Sequence, residues 1–231
     1  MIEMNKTSET EVSQAILALY KNTRKVNTIA GNGALVMDRF DTQLENVKSE
    51  LKETIDGLAE NNLVEVVDGC CDLLVTLSEL VMIMDGNESL LANPPMYLNM
   101  EGFTVETLID CIKVDVHNGN YIDALGYTED LAFQLNANMV HNCNSVAVSN
   151  LSKFIKLKEL QDTEFNEEYL IKDLESKGRY PDVYAEHVEF EGDIWVVLKA
   201  NYDKKNDEKY PLGKFLKIGL TFVEPEIVTY G

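Results

Sequence analysis

The chain has 231 residues, of which 45% are hydrophobic, and it carries forty Asp and Glu against twenty Lys and Arg. The hydrophobic content is enough for one substantial core, or for a core and a small second domain. The formal net charge of −20 argues against a nucleic acid or an anionic membrane as the main partner. A local group of carboxylates can still bind Mg²⁺, which then carries phosphates.

The sequence shows no targeting or membrane segment. The N-terminal stretch MIEMNKTSETEVSQAI lacks a basic region followed by an apolar run, and no eighteen consecutive residues are apolar. We therefore expect a soluble protein of the cytoplasm. The four cysteines include no CxxC pair, so buried free thiols are favoured over a disulfide or a zinc site. These are Cys70, Cys71, Cys111 and Cys143.

Apolar periodicity predicts three helices in the first part of the chain, over residues 9–20, 39–58 and 63–85. The last two are separated by a short break that contains ENN, so they should form a helical hairpin. Pro94 and Pro95 then exclude a helix from the connection that follows.

A second helical pair is predicted over residues 104–119 and 121–154, with its second member as one long helix. We expect three asparagines of this long helix to face solvent: Asn138, Asn142 and Asn144.

The pattern changes after residue 158. Residues 162–178 predict a helix, and VYAEHVEFEGDIWVVLKANY alternates like two strands joined at EGD. A loop and a further strand complete the chain. The sequence therefore predicts an α-helical domain over residues 1–158 and a small α+β extension over residues 159–231.

The two predicted hairpins match weakly at an offset of 58 positions. NLVEVVDGCCDLL then lies over NYIDALGYTEDLA, and the pairs are Asn62 with Asn120, Glu65 with Asp123, and Asp72 with Asp130. Asp68 falls on Gly126, and short amphipathic helices often resemble one another. A duplicated hairpin and a chance match therefore both stay open.

Five acidic residues recur at helical spacing on the first predicted hairpin: Glu50, Glu53, Glu65, Asp68 and Asp72. At about 100° per residue, the first two lie about 60° apart on one helix, and the other three lie within about 60° on the next. If the helices pack antiparallel, both sets can point at one place. Carboxylates so close together repel one another unless cations neutralise them.

Two of these acids interrupt an apolar run. Asp68 and Asp72 stand within VVDGCCDLLV, where an unpaired carboxylate is costly to bury. Glu50 and Glu53 alone would fit an exposed acidic face equally well. Gly69 is unfavourable inside a helix, and it indicates the close approach of a neighbouring group.

ELKE followed by EVVDGCCDLL resembles the ExxE and ExxD signature, with an additional Asp, of the all-α NTP pyrophosphohydrolases. This superfamily includes MazG-like proteins, phosphoribosyl-ATP pyrophosphohydrolase and dimeric dUTPase-like enzymes. VSNLSKF is similar to the SNxSK segment at the end of the last bundle helix in a bacteriophage and bacterial MazG-like branch. PLGKFLK is similar to the PxGKxLK segment that follows it. The resemblance implies a mainly α fold, a four-to-five-helix bundle with a small C-terminal α+β appendage.

The resemblance also implies an activity, which is Mg²⁺-dependent hydrolysis of an NTP or dNTP between the α and β phosphates. Mn²⁺ would substitute for Mg²⁺, and the products would be a nucleoside monophosphate and pyrophosphate. The metal ligands carried over by motif are Glu50, Glu53, Glu65 and Asp68, with Asp72 as a helper. Either Glu50 or Glu53 would take the proton of a metal-bound water, and the choice between them stays open.

Nucleotide contacts are implied for Asn150 and Lys153, which match the SNxSK positions. Lys153 near a helix C-terminus also suits the helix dipole, so a structural role stays open. Lys214 and Lys217 are weaker candidates for phosphate binding. Three polar residues on the face of Glu50 would line the pocket and read a base or sugar: Arg39, Gln43 and Asn46.

Two other functions stay open on the same residues, a nucleotide-binding or sequestering protein on this scaffold and an acidic protein-interaction module. We expect a homodimer or homotetramer, unless the second hairpin stands in for a partner subunit. The compartment would be the host cytoplasm if a phage encodes the protein. The preferred base is not predicted.

Overall fold

A computed structural model describes residues 9–31, 33, 37–92 and 103–230. These residues are mainly helical, with a small antiparallel sheet toward the C-terminus. The chain divides into two compact units. The first contains the described parts of Met1–Asn22, Leu35–Ala147 and Pro225–Gly231, and the second those of Thr23–Ala34 and Val148–Glu224.

The first unit is helical. After α1 (Glu9–Ile29) and a 3-10 turn (Met37–Arg39) come α2 (Phe40–Ala59), α3 (Leu63–Asp85), α4 (Ser89–Ala92), α5 (Val105–Asn118), α6 (Tyr121–Gln134) and α7 (Met139–Leu151). The last residues of α1, from Thr23, and of α7, from Val148, belong to the second unit. The helices α2 and α3 form one hairpin, α5 and α6 form another, and α3 packs against α6. None of the described helices is both long and apolar enough to cross a membrane.

The core of the first unit centres on α3, because this helix packs against both α2 and α6. Its apolar side chains on that side have almost no exposed surface, as Leu73, Leu77 and Leu80 show. Val47 of α2 and Leu125 of α6 join the same cluster. Because α3 packs against a neighbour on two sides, it needs a wider apolar face than α2, and its sequence is accordingly more hydrophobic.

The turns of the two hairpins share their hydrogen bonds at the offset of 58 positions. The N–H of Asn62 donates to the Gly57 oxygen at 2.9 Å, and the N–H of Asn120 donates to the Asp115 oxygen at 2.8 Å. The residue before each Asn has a positive φ, 54° at Asn61 and 81° at Gly119. The hairpins therefore resemble each other in turn geometry as well as in sequence.

Three predicted helices match the structure closely, namely those at 39–58, 63–85 and 104–119. The single long helix predicted over 121–154 is wrong, because the chain breaks between α6 and α7. Asn136 takes a positive φ of 54°, Ala137 pairs with Thr229, and the Asn138 side chain accepts the His141 N–H at 3.2 Å.

One asparagine of α7 is buried, contrary to expectation. Asn142 has no exposed surface; its Nδ2 donates to the Val228 oxygen at 3.0 Å, and its Oδ1 accepts the Val228 N–H at 2.8 Å. The side chain thus pairs with a peptide unit of the C-terminal segment in the way a neighbouring strand would. Asn144 is exposed, as expected.

The second unit contains β1 (Ile155–Lys156), α8 (Leu157–Gln161), α9 (Glu167–Ser176), β2 (Val183–Phe190), β3 (Asp193–Asp203) and β4 (Glu208–Phe215). The central strand β3 pairs antiparallel with the other three. The predicted hairpin at EGD is confirmed, with a turn at Glu191 and Gly192, both at positive φ. The helix predicted over 162–178 starts later, at Glu167, because the Asn166 side chain caps it.

Candidate functional site

The helices α2 and α3 approach each other closely at two glycines. A Cβ on Gly57 would lie 3.1 Å from the Glu65 Cβ, and one on Gly69 would lie 3.2 Å from the Thr54 Cβ. Thr54 is fully buried, and its hydroxyl donates to the Glu50 backbone oxygen at 2.8 Å. The close approach predicted at Gly69 is therefore confirmed, and the neighbouring group belongs to α2.

A hydrogen bond joins the two helices further from the turn. The Nε2 of Gln43 donates to the Thr76 backbone oxygen at 3.0 Å, and the Thr76 hydroxyl donates to the Asp72 backbone oxygen at 2.9 Å. Along the hairpin, Glu50 and Asp72 both lie between this hydrogen bond and the contact at Gly69. These two acids therefore lie in the same stretch of the hairpin, one on each helix.

The predicted carboxylates differ in exposure. Three of them are half-buried: Glu50, Asp68 and Asp72. Glu53 and Glu65 are exposed. The backbone N–H of Glu65 donates to the Asn62 side chain at 3.3 Å, so this residue lies in the capped first turn of α3, where a negative charge also suits the helix dipole.

The chemistry of these residues fits Mg²⁺, because that ion prefers carboxylate oxygens. Their arrangement is not a complete metal shell. Over residues 9–31, 33, 37–92 and 103–230, no group of three or more His, Cys, Asp or Glu side chains is placed so that it could hold a metal ion. The hairpin thus puts the five acids on two adjacent helices without gathering them at one point.

The predicted base-reading residues lie on α2 and just before it. Arg39 is half-buried at the start of the helix, and its buried Nη1 has no hydrogen-bond partner among the described residues. Gln43 is 5% exposed. The exposed Asn46 donates from Nδ2 to the Gln43 Oε1 at 3.3 Å. These side chains and Glu50 share one face of α2, within about 60° of one another.

The two segments that resemble SNxSK and PxGKxLK lie together in the second unit. The Lys153 Nζ donates to the Asn150 Oδ1 at 2.5 Å and lies 5.9 Å from the centre of the Phe215 ring. The Lys153 backbone oxygen accepts the Ile218 N–H at 3.4 Å, and the rings of Phe154 and Phe215 are 5.6 Å apart. The chain therefore folds these separate motifs into one local structure.

The other two predicted lysines contact aromatic rings. The Nζ of Lys214 donates to the Tyr210 hydroxyl at 3.2 Å, and the Nζ of exposed Lys217 lies 4.1 Å from the centre of the Phe222 ring. All four predicted phosphate contacts belong to the second unit, whereas the predicted metal ligands belong to the first.

Sequence analysis missed an acidic residue in α3. Glu79 is 2% exposed and follows Asp72 by seven residues, which puts both within about 20° on the helix surface. The spacing of Asp68, Asp72 and Glu79 predicts that all three acids lie on one side of α3. Glu79 lies outside the ExxE and ExxD signature.

The second hairpin has a tyrosine where the first has Gly69, at the same offset of 58 positions. The Tyr127 ring stacks against Phe103, with ring centres 6.0 Å apart. Burial raises the pKa of Tyr127, and nearby acidic groups raise it further: Cys111, Asp115, Asp123 and Asp130. A phenol therefore lies among the acids of this hairpin.

A cavity of about 340 Å³ lies where the end of α3 meets the start of α6. Val81 and Tyr121 form part of its wall, and Asp85 and Asp123 also line it. None of the predicted site residues lines this cavity.

All four cysteines are free thiols, as predicted, and three of them are buried: Cys70, Cys71 and Cys143. Burial raises the pKa of Cys70 to about 12. A hydrogen bond with Cys143, together with burial, raises the pKa of Cys71 well above its ordinary value. Thiols of this kind are packing groups rather than nucleophiles at neutral pH.

Comparison with known proteins gives no match, whether to a protein-family model, to a curated protein or to a solved structure.

Proposed function

We propose that the chain is a Mg²⁺-dependent nucleoside triphosphate pyrophosphohydrolase with an all-α bundle of that enzyme type. It would cleave an NTP or dNTP between the α and β phosphates and release a nucleoside monophosphate and pyrophosphate. The observation that carries the proposal is that half-buried Glu50 and Asp72 lie in the same stretch of the α2–α3 hairpin, one on each helix, with half-buried Asp68 one turn away on α3.

The metal would be held by carboxylates of both helices. Glu50, Asp68 and Asp72 supply the half-buried oxygens, and the exposed Glu53 and Glu65 would turn inward to complete the shell. When bound, Mg²⁺ neutralises charge that develops on the phosphates and lowers the pKa of a coordinated water. Either Glu50 or Glu53 would accept the proton of that water.

The resemblance also implies phosphate contacts for Asn150, Lys153, Lys214 and Lys217, and these stay predictions. Lys153 is the strongest of these candidates because the Asn150 side chain already orients its ammonium group. A lysine acts on phosphate as a point charge, so a neutral replacement should weaken nucleotide binding.

The test is to incubate the purified chain with canonical and modified NTPs and Mg²⁺, and to identify the products. Asp68→Asn and Glu53→Gln should each lower turnover by roughly 100-fold, about 2.7 kcal/mol of activation free energy. Glu45→Gln is the matched control, because Glu45 is an exposed acid on α2 that pairs with Lys48 away from the proposed site. Unchanged turnover in the first two variants would refute the metal assignment.

One observation favours a second candidate, which is nucleotide capture without hydrolysis. Glu53 and Glu65 are exposed, and pure binding does not need all the carboxylates of a catalytic metal shell. Recovery of intact nucleotide bound to the protein would support this function. Assembly as a homodimer or homotetramer and a cytoplasmic location stay predictions.

A further inference from the structure

The buried side chain of Gln43 uses both ends of its amide within the first unit. Its Nε2 donates to the Thr76 backbone oxygen at 3.0 Å, and its Oε1 accepts from the Asn46 Nδ2 at 3.3 Å. With only 5% of its surface exposed, Gln43 offers little to a ligand. The expectation that it reads a base directly is therefore not supported by its contacts.

A backbone carbonyl of α3 determines which end of each side-chain amide donates and which accepts. A backbone oxygen can only accept, so the Thr76 oxygen requires the NH₂ end of Gln43. The Gln43 Oε1 must then face α2, where it requires the NH₂ end of Asn46. The orientation of one exposed amide on α2 is thus set by a carbonyl group on α3.

The Asn46 side-chain amide has hydrogen-bonding groups that its bond to Gln43 does not use. Its side chain is exposed, and its Oδ1 accepts no hydrogen bond within the part of the chain that the structure describes. It lies one turn before Glu50, about 40° away around the helix. The amide therefore offers an oriented acceptor and one remaining N–H donor on the side of α2 that carries Glu50.

We propose that Asn46 contacts the base of the bound nucleotide and that Gln43 is a positioning residue, which fixes which end of the Asn46 amide faces the ligand. This inference rests on the proposed function. Base edges carry adjacent donors and acceptors that a side-chain amide can pair with. An amide that is oriented before binding loses less conformational entropy than a mobile one.

The test compares Gln43→Leu, Asn46→Ala and the double variant over a panel of four dNTPs with Mg²⁺. Each single variant should lower kcat/KM for the preferred nucleotide by about tenfold, through a higher KM. It should also reduce the differences in kcat/KM among the four dNTPs. The double variant should be no worse than Asn46→Ala, because the two residues act as one unit. Gln134→Leu is the control, since the Gln134 Nε2 also donates to a backbone oxygen, that of Phe103 at 2.6 Å.

Asn46→Asp keeps the inference testable if Gln43→Leu fails to fold, because Asn46 is exposed. An aspartate has no donor for Gln43 and offers only acceptors, so the order of preference among the four dNTPs should change. Additive losses in the double variant, or an unchanged preference in Asn46→Asp, would overturn the inference.

Failure of the proposed function gives a different result. If no nucleotide yields pyrophosphate with the unmodified chain, the hydrolase proposal is wrong, and the same variants are compared by equilibrium binding of the dNTPs. Binding that distinguishes bases and loses this discrimination in Asn46→Ala would still support the role of Asn46. Binding without discrimination would overturn it.

Discussion

Gly69 shows how one residue sets the distance between the two helices of the candidate site. In a helix interior, alanine is favoured over glycine by about 1 kcal/mol, so Gly69 must serve another purpose. Its Cα faces the fully buried Thr54 side chain, and an added Cβ would collide with it. The glycine therefore permits the close packing of the two helices that carry Glu50 and Asp72.

Gly69→Ala should destabilise the chain by about 1–2 kcal/mol, since the cost of overpacking exceeds the gain in helix propensity. Urea unfolding followed by circular dichroism measures the effect. In a Thr54→Ala background, Gly69→Ala should lower the free energy of unfolding by less than it does in the unmodified chain, because the clashing side chain is then smaller. Equal costs in both backgrounds would show that Thr54 is not the obstacle.

Asp203 of the second unit is held by several hydrogen bonds. It is fully buried, and the Arg179 guanidinium donates to both of its oxygens, with the shortest bond at 2.6 Å. Its Oδ1 also accepts the Lys205 N–H at 3.0 Å. The Arg179 bonds are the main reason that the pKa of Asp203 falls to about 2, from an ordinary value of 3.8.

This lowered pKa predicts a pH dependence. The unfolded chain binds a proton at Asp203 more readily than the folded chain, so the contribution to stability is complete above about pH 4 and is lost as the pH falls toward 2. Trp195 is the single tryptophan of the chain and shares β3 with Asp203, so its fluorescence can report unfolding of this unit. The free energy of unfolding of Asp203→Asn should fall less steeply with decreasing pH across this range. Equal slopes for the variant and the unmodified chain would contradict a lowered pKa at Asp203.

At the scale of elements, the two hairpins have similar turns but differ at the position of Gly69 and Tyr127. Both turns use an Asn after a residue of positive φ, and their hydrogen bonds match at the offset of 58 positions. The first hairpin has Gly69 where the second has Tyr127, whose phenol lies among acidic groups. We therefore expect only the first hairpin to bind the metal.

Calorimetric titration with Mn²⁺ tests this expectation. Asp68→Asn should weaken binding at least tenfold because it removes a proposed ligand. Asp123→Asn, the same type of substitution in the second hairpin at the start of α6, should leave the affinity within about twofold of the unmodified chain. The reverse pattern would place the metal in the second hairpin.

Local sequence patterns predicted α2, α3 and α5 well because each has a continuous apolar stripe and a clear break at its end. They failed between α6 and α7, where periodicity continues through Asn136. That break depends on Ala137 and Asn142, which pair with residues almost a hundred positions away near the C-terminus. A local pattern holds no information about such a partner.

The site was predictable to a similar extent. The interruption of an apolar run indicated that Asp68 and Asp72 are half-buried, and Gly69 indicated a close neighbour. The burial of Gln43 was not predictable, because it depends on a carbonyl oxygen that α3 presents only after the hairpin has formed. Helical angles alone also placed Glu53 and Glu65 with the other acids, although both are exposed.

At the scale of the whole molecule, a chain with a net charge of −20 would act on a substrate that is itself an anion. Bound divalent cations would have to offset this repulsion. Turnover should therefore depend steeply on Mg²⁺, and chelation of the metal should abolish it. Activity that persists in excess chelator would contradict a metal-dependent reaction.

Cleavage between the α and β phosphates is tested most directly by ³¹P NMR of the reaction mixture. With Mg²⁺ and a dNTP that the chain accepts, we expect nucleoside monophosphate and pyrophosphate in equal amounts, and roughly 100-fold slower formation of both products with Asp68→Asn. Nucleoside diphosphate with inorganic phosphate, or a panel of nucleotides that all stay intact, would contradict it.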